Sequence, residues 1–220
     1  MQYYKICIIS LMFLFFSATQ MMAQFHLSVG PNMGMNYNIG AGSDLNETPT
    51  GLGFNIGVTT DMQFTHTIGL IANLQFYDSR SGGSSTQGTV QGVPYTVNDD
   101  ASLAYFLIEP LLKLTIPNSG FHFLAGPSIG FNVQGSREVR ITSQNNQITF
   151  QDGSTKFKQS LKNTLVRFAI KAGAGYDINV GAVVLSPVIA FDYGITNVQS
   201  DVSSRVLSIQ SFIMVKFKLI

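Results

Sequence analysis

Between Ser102 and Val133 the chain keeps a two-residue period through two successive runs, a pattern that only a pair of β-strands satisfies over such a length. In the second run Phe121, Phe123, Ala125, Pro127, Ile129, Phe131 and Val133 share one face, and His122, Leu124, Gly126, Ser128, Gly130 and Asn132 share the other. In the first, Ala104, Phe106, Ile108, Pro110, Leu112, Leu114 and Ile116 oppose Tyr105, Leu107, Glu109, Leu111 and Lys113. Pro117-Asn118-Ser119-Gly120 supplies a tight turn between them. A soluble barrel would pack its large apolar residues inward. Here one face is almost purely apolar, while the other is small, polar and charged. This predicts the inverse arrangement, with apolar side chains facing hydrocarbon and small polar ones filling a narrow barrel. Each run has 13 residues, more than the roughly 9–11 that a tilted membrane strand needs.

Six further runs alternate in the same way, giving eight in all: 25–37, 52–64, 68–76, 104–116, 121–133, 166–176, 183–193 and 207–219. Their outward sets carry no charge away from the ends. Charges within the strands fall on the inward phase, where Glu109, Lys113, Arg167, Lys171 and Asp192 form a candidate lumen charge cluster with Asp177 in reach. An outward Lys or Arg would cost about 2–4 kcal/mol at the bilayer midplane, so this segregation is the expected signature of a membrane barrel. Lys216 and Lys218 are also read as inward.

The connections alternate between long and short. Segments 38–50, 79–101, 135–161 and 194–204 are long and polar, and 61–67, 117–120 and 178–181 are short. Four long and three short connections suit an eight-stranded antiparallel up-and-down transmembrane β-barrel with both termini in the periplasm and the long loops outside the cell. The third long loop is expected to rise as a hairpin with arms 138–143 and 147–151. Aromatic residues gather in two bands. Tyr37, Phe76, Phe106, Phe131, Phe168 and Tyr193 lie towards the long loops, and Phe25, Phe64, Phe121, Tyr176 and Phe217 towards the short turns, as interfacial girdles do. Pro31, Pro110, Pro127 and Pro187 stand inside strands although proline cannot donate to a ladder, so bulges or lost bonds are expected there.

Residues 1–23 read as a cleavable signal peptide: a short n-region with Lys5, an apolar core at 6–16, and cleavage after Ala23. The barrel domain then covers 24–220. Cys7 lies within the signal, so the mature chain has neither disulfides nor thiol chemistry. The chain has 11% charged residues and a net charge of +1, which excludes a nucleic-acid footprint.

The opening hairpin also resembles a known family. Glu109-Pro110-Leu111-Leu112-Lys113, followed by Ala125-Gly126-Pro127-Ser128-Ile129-Gly130, is similar to the small outer-membrane β-barrel domain family that includes porin-like proteins and the PorT secretion component. Gly173-Ala174-Gly175-Tyr176, Asp192-Tyr193-Gly194 and Val215-Lys216-Phe217-Lys218 resemble its later strands. The resemblance implies an outer-membrane location and engagement with the barrel-assembly machinery during biogenesis. That machinery commonly favours a terminal aromatic; with Ile220 at the end, Phe217 is the expected substitute.

No catalytic, metal or cofactor site is expected. His26, His66 and His122 all fall towards the periplasmic end, where they read as turn or rim residues, and no phosphate loop or zinc spacing occurs. A basic outer loop, Arg137, Arg140, Lys156 and Lys158, is a candidate contact for glycolipid phosphates. The expected protein is a non-enzymatic, monomeric integral outer-membrane barrel with a mostly side-chain-filled lumen. Its expected partners are outer-membrane lipid and glycolipid, and not nucleic acid. It would act in surface interaction or envelope integrity, with at most limited solute passage. The alternatives are a PorT-like secretion component, a lipid-modifying enzyme, and a soluble periplasmic barrel with an apolar ligand.

Overall fold

The computed structural model describes residues 25–45, 47–161, 164–200 and 203–219, omitting the side chain of Asn146. The expected signal peptide and Ile220 lie outside the described residues. Eight antiparallel strands form a closed ring: β1 (His26–Ala41), β2 (Thr50–Gln63), β3 (Ile68–Val90), β4 (Val93–Thr115), β5 (Phe121–Ser143), β7 (Arg167–Tyr176), β9 (Val183–Gly194) and β10 (Arg205–Lys218). Each pairs with its neighbour in this order, and β10 closes on β1. Two short strands sit outside this set. These are β6 (Lys156–Ser160) on β5, and β8 (Ile178–Val180), which continues the β7–β9 hairpin beyond Asp177.

Burial alternates along the bilayer-spanning part of every ring strand, so the outward face there is an apolar band. Ile189, Leu52 and Met35 are 66%, 63% and 61% exposed. Aromatic rings meet at both ends of the band: Phe25 with Phe64 and Phe121 with Tyr176 at the short-turn end, and Phe54 with Tyr77 at the other. Two facing assignments fail at the ends of the expected runs. Lys218 is exposed and donates to the Gly181 carbonyl, and Ala104, placed outward by alternation, is buried beside a register shift.

The second long connection is not a loop. β3 and β4 continue as a hairpin to Val90 and Val93, joined through Gln91 and Gly92, both at positive φ, as a two-residue primed turn requires. This stretch alternates among Ser, Gly, Thr and Gln, so no apolar period marked it as strand. β5 likewise extends to Ser143, antiparallel to β4, and the second arm of the third loop is β6 rather than 147–151. β3, β4 and β5 are 23 residues each. A membrane strand uses roughly 9–11, so about a dozen residues of each stand clear of the bilayer.

The strand prolines are placed so that their missing N–H groups coincide with breaks in one ladder only. Pro110 keeps register with Ala72 on β3 and Pro127 with Ile170 on β7. Between β4 and β5 the pairing skips from Ile108↔Ile129 to Leu112↔Ala125, which sets Pro110 opposite Pro127 in a single gap. A Cβ on Gly126 would lie 2.3 Å from the Pro110 carbonyl oxygen, so the backbones approach closely there. Inside the gap, Ser128 donates to Glu109 (3.1 Å) and bridges the strands by side chains.

Ile189→Arg, in the middle of the apolar band, is expected to cost about 2–4 kcal/mol in a bilayer and to reduce the folded form seen by heat-modifiable gel mobility. Val180→Arg, on the short β8 beside the Gly181 turn, is expected to be nearly neutral in the same assay.

Candidate functional site: the lumen network and its outer mouth

Inward residues gather from all eight strands because alternation leaves charged groups nowhere else to go. The structure places Glu109, Lys113, Arg167, Lys171 and Asp192 inside the ring, each under 5% exposed, but not in one cluster. They divide among three levels, each neutral.

At the outer level Asp192 (β9) accepts from Arg167 (β7) and lies 3.6 Å from Arg80 (β3), which donates its Nε to Asp78 at 2.5 Å and Nη1 to Ser208. Asn36 donates to Asp78 at 2.7 Å. At the middle level Lys171 (β7) pairs with Glu109 (β4), its ammonium 5.7 Å from the centre of the Phe212 ring. Glu109 also accepts from Ser128 and, at 3.3 Å, from Asn73. At the inner level two lysines and two aspartates alternate. Lys113 reaches Asp61 at 2.7 Å and Asp177 at 2.8 Å, and Lys216 reaches the same carboxylates at 2.6 and 3.0 Å. Among the described residues, five cations face five anions in this interior. An apolar layer of Ile71, Leu111, Leu124, Val188, Ala190, Phe212 and Met214 accompanies them.

Arg80 and Asp78 were missed because the alternation was followed only to Phe76. A bulge places one extra residue at Phe76-Tyr77: Gln75 pairs with Leu107 but Asp78 with Tyr105. Tyr77 packs on the outward Phe54 at 5.2 Å, and inward phase passes from odd to even numbers. Two adjacent aromatics followed by Asp-Ser-Arg were the available signal.

His122 is not a rim residue. It is wholly buried, with Nδ1 3.7 Å from Asp177 and no hydrogen bond to either ring nitrogen among the described residues. His26 and His66 are exposed.

The four basic residues expected on a loop lie instead on β5 and β6. Arg137 pairs with Asp99, whose hydrogen bond raises the guanidinium pKa. Arg140 and Lys156 both reach Glu138 at 2.9 Å, and their hydrogen bonds hold its carboxyl below the usual carboxylate range. Lys158 stands opposite Glu138 in the β5–β6 register. Neighbouring acids therefore answer most of this basic patch.

A ring with greasy exterior, two aromatic bands and ionised interior defines an outer-membrane β-barrel. The family model for the outer membrane protein β-barrel domain matches residues 10–200, and the chain belongs to that family. No curated protein matches significantly. Solved structures similar to this chain include Ail, the attachment invasion locus protein of Yersinia pestis, in complex with the heparin analogue sucrose octasulfate. It shares 10% identity over 89% of this chain and 99% of its own, with a TM-score of 0.38. Neisserial surface protein A shares 11% over 88% and 97%, with a TM-score of 0.41. The N-terminal β-barrel domain of Pseudomonas aeruginosa OprF shares 12% over 86% and 97%, with a TM-score of 0.26. The protein is located in the outer membrane, so the soluble periplasmic alternative does not hold.

Lys171→Met leaves Glu109 buried without its cation and is expected to destabilise the barrel by about 3–5 kcal/mol. Adding Glu109→Gln is expected to recover most of that loss. Equilibrium urea unfolding of the two single variants and the double variant in lipid measures the coupling.

Proposed function

We propose that this protein is a closed barrel that holds a β-sheet out from the cell surface for interaction with other molecules. The observation that carries the reading is the length of β3, β4 and β5. Each runs 23 residues, so a sheet completed by β6 stands beyond the bilayer. At about 3.3 Å per residue its strands reach some 30–40 Å past the outer interface before tilt. A barrel serving only as a conduit has no need of such a structure.

Closure is supported by the stacked neutral levels and the apolar layer between them. A solute crossing the ring would have to part ion pairs that are buried and desolvated, such as Arg167–Asp192 and Lys171–Glu109. Eight strands leave room only for side chains in any case. The exposed outer face of the sheet mixes signs, with Glu138 between Arg140 and Lys156, which suits partners recognised by local charge pattern rather than bulk attraction.

Two measurements test the reading. In planar bilayers the purified protein is expected to give no large stepwise conductance; a steady open pore would overturn closure. Excising residues 86–97 and bridging the ends with Asn-Gly is expected to leave barrel assembly intact. In a deletion strain the full chain is expected to restore the lost phenotype and the trimmed chain to fail. Full rescue by the trimmed chain would move the role from the sheet to the barrel itself.

A further inference from the structure

Above the outermost charge level the ring opens into a cavity of about 460 Å³, a size typical of small-molecule sites. Arg80 and Asn38 line it from β3 and β1. Arg80 is 1% exposed and engages Asp78 and Ser208 through Nε and Nη1, yet its Nη2 has no hydrogen-bond partner among the described residues. Asn38 is 2% exposed; its Oδ1 accepts from Ser208, and its Nδ2 likewise has no partner. Among the described residues, two buried donors on side chains that line one cavity are therefore unmatched, an arrangement proteins normally avoid.

Polar rim residues such as Ser84, Thr86 and Asp99 share the walls above them with one apolar side. Leu103 belongs to a buried group with Tyr105 and Leu107, against which Leu161 and Val198 pack, and Val206 completes the lining on the β10 side. Arg205 adds a cation at the mouth. The carboxylates on the rim are engaged: Asp44 accepts from the Ser203 amide, Glu47 from Thr86, and Asp99 from Arg137.

We propose that this outer vestibule binds a small amphiphile bearing one carboxylate. Its head accepts from Arg80 Nη2 and Asn38 Nδ2, and its body lies against Leu103, Leu161, Val198 and Val206. Both unmatched groups can only donate, so the head must be an acceptor; an ammonium would leave them as they are and meet Arg205 besides. Depth and wall chemistry call for an apolar body of about ten to twenty heavy atoms, given the cavity volumes that drug-sized ligands fill.

The probe is 4-(4-fluorophenyl)butyrate, followed by ¹⁹F line broadening with the full barrel in lipid nanodiscs, against the matching amine, 4-(4-fluorophenyl)butylamine. The carboxylate is expected to bind saturably and the amine at least tenfold more weakly. Arg80→Lys keeps a cation beside Asp78 but lacks Nη2, and is expected to weaken binding at least tenfold. Ala101→Trp fills the cavity from β4 above the packed interior, leaves the charge levels intact, and is expected to abolish binding. Folding of each variant is confirmed by heat-modifiable mobility. Equal binding of acid and amine, undiminished binding by Ala101→Trp, or no saturable binding of the acid to folded wild-type barrel would each overturn the proposal.

Discussion

Ten ionised groups confined inside a ring eight strands wide must sum to nothing, and the rest of the structure follows from that requirement. Once the exterior has to be apolar, alternation drives the charges within the bilayer span inward, where solvation by bulk water is lost and an unmatched ion is costly. The solution is local as well as global. Arg80 and Arg167 balance Asp78 and Asp192, Lys171 balances Glu109, and Lys113 and Lys216 balance Asp61 and Asp177. Many of these pairs cross the interior between strands that are not neighbours. Lys216 on β10 and Lys113 on β4 meet over Asp61 on β2. Such contacts exist only when the ring is closed, so the interior reports on closure as directly as the seam between β1 and β10 does.

The same interior explains why one irregularity matters more than its size suggests. A single extra residue at Phe76-Tyr77 exchanges the inward and outward phases of β3. Without it, Asp78 and Arg80 would face out, and the outer level would hold Arg167 and Asp192 alone. With it, the level gains a second pair, and both aromatics stay on the outside where the girdle needs them. Regular alternation carries the strand through the bilayer, and the bulge marks where a different requirement takes over.

This is also the boundary of what the amino-acid order made legible. Strand number, facing and the inward position of Glu109, Lys113, Arg167, Lys171 and Asp192 are readable from a strict period of two, because hydrocarbon on one side penalises every exception. Beyond the bilayer that penalty vanishes. Residues 81–90 and 93–101 are strand with both faces open to water, rich in Ser, Gly and Thr, and carry no apolar period to betray them. Pairing partners were equally hidden. Nothing in the spacing says that Lys113 and Lys216 share two carboxylates, since that depends on how the sheet curls. The basic residues Arg140 and Lys156 read as a loop patch until the register of β5 on β6 set Glu138 between them.

The facing prolines of β4 and β5 bring one more consequence. Stacking two residues that lack an amide hydrogen at one crossing confines the damage to a single rung, and there the wall is held by a serine hydroxyl on a carboxylate instead of by main chain. Glu109 is thus a fastener between staves as well as the counter-ion of Lys171. Whatever loosens that carboxylate slackens wall and filling together, so in this molecule the container and its contents share a hinge pin.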